Sequence, residues 1–138
     1  MEITGGCHCG ELKYKATVIP EKVGVCHCND CQVLSGSAFR TVVIATADSL
    51  VFTQGTPKIY TKTAESGNQR DQSFCGTCGS PISASNHDGG PKIHGIRLGT
   101  VDQRMKLTPT FQIWCGEAQP WVENFDRIPR ISAKGPKA

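Results

Sequence analysis

Seven of the eight cysteines in this 138-residue chain stand in three tight groups: Cys7-His8-Cys9, Cys26-His27-Cys28-Asn29-Asp30-Cys31 and Cys75-Gly76-Thr77-Cys78, with Cys115 alone. No other feature limits the fold as strongly, because each group has to bring its thiols to a common centre. The start of the chain, MEITGGCHCG, has neither the basic residues nor the apolar stretch of an export signal. A cytoplasmic location, where thiols stay reduced, is therefore expected, and metal or catalysis explains the cysteines better than disulfides do. Cys7/Cys9 and Cys26/Cys28 are also spaced so closely that a disulfide would form only a strained small ring.

In Cys75-x-x-Cys78-Gly79 two thiolates can curl to one centre, and the glycine permits a positive-φ turn that aims backbone N–H groups at sulfur. Cys7-x-Cys9 carries the same trailing glycine, Gly10, and residues two apart on an extended segment lie on one face. The two pairs are alike in character, and joining them gives one closed four-thiolate zinc site of Cys7, Cys9, Cys75 and Cys78. Cys26, Cys28 and Cys31 then supply three ligands from one local segment and leave a coordination position open. Closed sites are structural and open ones catalytic, because only an open position admits water or substrate.

A second reading stays open beside this one. His27, a distant histidine or Cys115 would complete the triplet as another closed clip, making the protein a non-catalytic, zinc-stabilised binding module. His8 and His27 each lie between two cysteines and are expected to point away from the metal their neighbours hold. Cys115 is expected to be a small buried hydrophobe on a strand. His87 and His94 read as surface or core residues.

Fifteen glycines and eight prolines spread along the chain argue against long helices and for short strands joined by turns. Strands are expected at Glu11–Ile19, bounded by Gly10 and Pro20, then at VGVCHC, Phe39–Thr46, Ser49–Gln54 and Lys58–Thr63. QSFC, SPISAS, KIHGIRLGT and TFQIWC supply the rest, and AESGNQRD reads as a loop. Only Asn29–Leu34 is expected to be helical, with Asn29 and Asp30 at its N-cap and Gly36 near its end. The reading is a single, mainly β zinc-binding domain over residues 1–131, with 132–138 as a flexible tail.

The formal charge of +3 gives no support for a nucleic-acid partner, since seven thiolates and two zinc ions would add about −3. No apolar run reaches the roughly 20 residues of a membrane span.

Five motifs in order make the chain resemble a known family: Gly6-Cys7-His8-Cys9-Gly10; Cys26-His27-Cys28-Asn29-Asp30-Cys31 with Ser35-Gly36-Ser37; Phe74-Cys75-Gly76-Thr77-Cys78-Gly79-Ser80; Leu98-Gly99-Thr100-Val101-Asp102; and Pro120-Trp121-Val122. It resembles the glutathione-dependent formaldehyde-activating enzymes, a family that includes centromere protein V-like proteins, over about Gly5 to Ile131. The resemblance implies a β-tent of small antiparallel sheets pinned by zinc. It also implies a structural zinc on Cys7, Cys9, Cys75 and Cys78 and a catalytic, more labile zinc on Cys26, Cys28 and Cys31. The implied activity is that of a carbon–sulfur lyase acting on an aldehyde adduct of glutathione or another thiol, such as S-hydroxymethylglutathione. Two positions depart from the family pattern. Gln32 stands where a basic residue is common, and Gln112 stands where many members have histidine. Arg40, Arg70 and Arg97 are the candidates to pair a substrate carboxylate, and Trp121 is a candidate wall for the cleft or a core aromatic.

Overall fold

The computed structural model describes residues 1–135, so positions 136–138 of the expected tail lie outside the described residues. The fold is mainly β, with nine strands among the described residues: β1 Glu2–Gly6, β2 Lys13–Cys26, β3 Arg40–Ala45, β4 Val51–Gln54, β5 Lys58–Thr63, β6 Gln69–Phe74, β7 Pro81–Asn86, β8 Gly95–Arg97 and β9 Phe111–Ile113. They form one hydrogen-bonded network in the order β1-β2-β3-β8-β7-β6-β5, to which β4 and β9 add by pairing with β2. Every pairing is antiparallel except β9 on β2, which is parallel.

β2 organises the molecule because it changes partners along its length. Residues Lys13–Thr17 pair with β1 on one side, and Lys13–Lys15 pair with β4 on the other. Val23–Cys26 pair with β3, and Gly24–Cys26 with β9. This overturns the expectation of two strands divided at Pro20. The strand runs through Pro20 because that residue falls where the register with β3 shifts, between Val18 and Val23, and a bulge of this kind needs no ladder N–H from proline. Tyr14, Ala16 and Val18 alternate into the core with Ile3, Val23, Val43, Ile82, Ile96 and Val101.

Several other expectations need correcting. β1 was not anticipated, because only Ile3 and Gly5 alternate inward on it. AESGNQRD is a loop only as far as Asn68, since Gln69 already pairs with Thr63. KIHGIRLGT and TFQIWC contribute three strand residues each.

The helix α1 spans Asn29–Ser35 with Gly36 as its left-handed C-cap, but its N-cap is Cys28, whose sulfur accepts the Cys31 backbone N–H. Asn29 and Asp30 are its first helical residues. Helical structure also extends beyond α1, to 3-10 turns at Leu98–Thr100, Arg104–Lys106, Cys115–Glu117 and Pro120–Arg127. The first of these places the Leu98–Asp102 motif against β1 and β2: Thr100 Oγ1 lies 2.9 Å from the Tyr14 hydroxyl, and Thr4 donates to Asp102 at 2.7 Å. Among the described residues no helix is long and apolar enough to cross a membrane.

Candidate metal centres

The first cluster joins the turn between β1 and β2 to the turn between β6 and β7. Cys7, Cys9, Cys75 and Cys78 place their sulfurs within 4.8 Å of one another and can hold a metal ion. The Cys7 and Cys9 sulfurs are 3.6 Å apart, and those of Cys9 and Cys75 are 3.8 Å apart. Both turns close as their sequences dictate, with φ of 83° at Gly10 and 79° at Gly79. Backbone N–H groups then face sulfur: Leu12 donates to Cys7 at 3.2 Å, and Thr77 and Cys78 donate to Cys75 at 3.4 and 3.5 Å.

Around this cluster Ser80 Oγ lies 3.2 Å from the Cys78 sulfur and accepts the His8 backbone N–H. Thr77 donates to Glu11. Ser80 and then the backbone draw the Cys78 thiol down to about 5. At Cys9 a backbone contact with Glu11 works downward, but burial and the neighbouring thiols prevail and push it up to about 12. A cation bound among all four would remove this repulsion, so the donor set fits a thiophilic metal such as zinc. Cys75 is only 1% exposed and belongs to the core.

The second cluster is local: Cys26 ends β2, Cys28 caps α1 and Cys31 lies in its first turn, with their sulfurs again within 4.8 Å. Burial raises the Cys26 thiol and pushes Cys31 up to about 12, the neighbouring cysteines adding to the rise at Cys31 and Arg40 opposing it. Burial also acts upward on Cys28, but the Cys31 N–H, the other two thiols and Lys62 outweigh it and lower that group. Three soft donors here also fit zinc.

The histidines and Cys115 stay outside both clusters. His27 is buried, and its Nε2 lies 2.7 Å from Gln112 Oε1. His8 is exposed, as is His87, which pairs with Asp71 at 2.8 Å. His94 is half-buried against Ser83 at 3.0 Å. Cys115 is not the buried strand residue expected. It is exposed at the start of a 3-10 turn, because β9 ends at Ile113 and Trp114 adopts a positive φ of 56° that swings the chain outward.

The two glutamines that depart from the family pattern tie the C-terminal segment down. Gln32 Nε2 donates to the carbonyls of His27 and Glu117 at 2.8 and 3.0 Å, and Gln32 Oε1 accepts from Gln119 at 2.8 Å. Trp121 is 45% exposed rather than a core aromatic. It lines a groove of about 390 Å³ over α1 with Gln32, Val33, Ser37 and Gln119.

The sheet register puts Arg40 beside the second cluster, with the other candidate arginines on the same face. Arg40 lies directly across from Cys26, and Arg97 across from Val42, two residues further along β3 on the same face. Gln72 reaches that face through Ala84 and Gly95, and Arg70 follows two residues before it. Arg97 Nη2 donates to Gln72 Oε1 at 2.5 Å and Arg40 Nη1 to the same oxygen at 3.4 Å. Sequence reasoning missed Gln72, whose only signal is that it shares the face of Arg70 by alternation.

A family model described as glutathione-dependent formaldehyde-activating enzyme matches residues 2–117. Both cysteine clusters fall inside that match, whereas Pro120-Trp121-Val122 lies beyond it. No curated protein matches the chain. Among solved structures, a crystal structure of a Rhodobacter sphaeroides protein, determined as a structural genomics target, is similar in fold. It has a TM-score of 0.60 at 17% identity, covering 79% of this chain and 98% of that one.

Proposed function

Because this chain belongs to the glutathione-dependent formaldehyde-activating enzyme family, we propose that it is a zinc-dependent carbon–sulfur lyase-type enzyme. Its substrate would be an aldehyde adduct of glutathione or another small thiol, with S-hydroxymethylglutathione as the type case. The observation that carries this reading is the unequal division of the cysteines: four thiols gather in one cluster and three in the other. The four-thiol cluster is complete for tetrahedral zinc and has a structural role, while the three-thiol cluster leaves a position for substrate. A cytoplasmic location and one functional unit over residues 1–131 belong to the same reading.

In the adding direction a C–S bond forms, the carbonyl π pair moves to oxygen, and the thiol proton ends on that oxygen. The reverse reaction returns thiol and aldehyde. Zinc on Cys26, Cys28 and Cys31 would supply the Lewis acidity that makes a thiolate available near neutral pH. The chain itself holds those three sulfurs in place: Cys26 by burial at the end of β2, Cys28 as the helix cap, and Cys31 in the first turn of α1. The Trp121 groove lies along the same helix and offers a binding wall for the thiol's stem. Arg70, half-buried on the same sheet face, is the candidate to pair a substrate carboxylate.

Exchange-sensitive NMR of glutathione equilibrating with formaldehyde tests the reading, with metal-loaded wild type and Cys28→Ser run side by side. Faster exchange with wild type alone is expected. Equal, uncatalysed rates across a panel of thiols and aldehydes would leave the non-catalytic binding module as the better account.

A further inference from the structure

Arg40 and Arg97 are 7% and 8% exposed, and among the described residues no carboxylate pairs with either. The ion pairs among the described residues are Lys62–Asp30 and His87–Asp71. Their guanidiniums share one neutral acceptor, Gln72 Oε1, and the Nε of each is sealed from water without a hydrogen-bond partner. Arg97 Nη1 also donates to the Gly95 carbonyl at 3.4 Å, but two buried like charges on neutral acceptors alone are costly unless negative charge lies close by. The second cluster can supply that negative charge when a metal holds its sulfurs as thiolates: Arg40 lies directly across from Cys26, and Arg97 across from Val42 on the same face. Lys62 also faces Cys28, but Asp30 holds it at 2.6 Å and largely cancels it.

We propose that Arg40 and Arg97 are positioning residues that balance the second metal centre when its fourth ligand is an anion, and so favour a thiolate over water there. The proposal rests on the reading that Cys26, Cys28 and Cys31 hold a divalent metal with one open position. A divalent ion on three thiolates carries about −1, and a substrate thiolate brings it to about −2. Two guanidiniums overcompensate the first state and match the second. Arginine suits the task because it stays charged when buried and is weakly hydrated. Gln72 keeps the pair together without adding a negative charge that would compete with the incoming thiolate. The selectivity thus acts on the sulfur itself and is separate from recognition of the substrate's carboxylates.

The test uses protein with zinc in the four-thiol centre and cobalt(II) in the three-thiol centre, whose absorption reports a new sulfur ligand. Wild type, R40Q, R97Q, R40K and R97K are titrated with 2-mercaptoethanol, cysteamine and 3-mercaptopropionate, which differ in the charge of their stems. Each glutamine variant is expected to bind all three thiols about tenfold or more weakly, while the lysine variants stay close to wild type. Unchanged affinity in the glutamine variants overturns the proposal, and so does a loss confined to 3-mercaptopropionate, which would make the arginines carboxylate receptors. Should the glutamine variants fail to fold or to hold cobalt, the lysine variants decide, and loss of all three thiols in both would overturn it. A wild-type spectrum that no thiol changes refutes the open position itself, which separates failure of the functional reading from failure of the arginine role.

Discussion

The Cys28 sulfur accepts the backbone N–H of Cys31 at 3.3 Å, so one side chain both starts α1 and contributes to the second thiol cluster. Serine is a strong N-cap residue and a poor zinc ligand. Cys28→Ser should therefore keep α1 and most of the melting temperature while losing one equivalent of metal and the proposed lyase activity. Cys28→Ala should show the same losses and a further destabilisation of about 1 kcal/mol from the missing cap. Metal analysis and thermal melts of the two variants, side by side, check this.

Cys75 belongs to the hydrophobic core as well as to the first cluster. Cys75→Ser should release the metal from that cluster and lower the melting temperature far more than Cys28→Ser does, because it unties the β1–β2 turn from the β6–β7 turn. Full metal content and an unchanged melt in Cys75→Ser would refute the assignment of the four-thiol centre.

Gln32 makes three hydrogen bonds, two of which, to Glu117 and Gln119, hold the segment after β9 against α1. Gln32→Ala should cost about 1–3 kcal/mol by leaving those groups unpaired, and should speed protease cleavage around residues 115–127. Limited proteolysis with mass mapping reads this directly. A cleavage rate equal to wild type would show that the segment is anchored by other contacts.

His94 sits half-buried against Ser83, and burial, with Arg70 and Lys92 nearby, holds its imidazole below the ordinary value of 6.5. The unfolded chain therefore takes up this proton at higher pH than the folded one does. The contribution to stability is complete above 6.5 and is lost as pH falls from there through the folded value. Denaturant melts at successive pH values should show wild type losing stability over that interval relative to His94→Gln. Parallel curves for the two proteins would contradict the shift.

Local chemistry was legible in the chain, and long-range register was not. The turns at Gly10 and Gly79 close as their spacing implies, and the division of seven cysteines into four and three reappears in space. Each of these follows from a few adjacent residues. Lys58–Thr63 was likewise readable, since its turns flank it on both sides. The merger of two expected strands into β2 depends on β3 and β4 bracketing Pro20 from distant positions, which no local pattern encodes. The meeting of Arg40, Arg97 and Gln72 depends on pairings relayed through four strands. Cys115 was misplaced for a related reason: its strand ends two residues early at the positive-φ Trp114, and apolar neighbours in sequence do not foretell that exit.

Cys9 and Cys75, neighbours in the first cluster, are 66 residues apart in the chain, whereas the second cluster is drawn from a single short stretch at Cys26–Cys31. As the chain leaves the ribosome, the three-thiol motif is exposed in full before β3 exists, and the four-thiol motif is complete only after β6 has emerged. The three-thiol cluster is thus the first complete donor set to emerge during synthesis, and the four-thiol cluster is the last. A chain made while metal is scarce would therefore offer its local donor set long before the set that ties two distant turns together is complete.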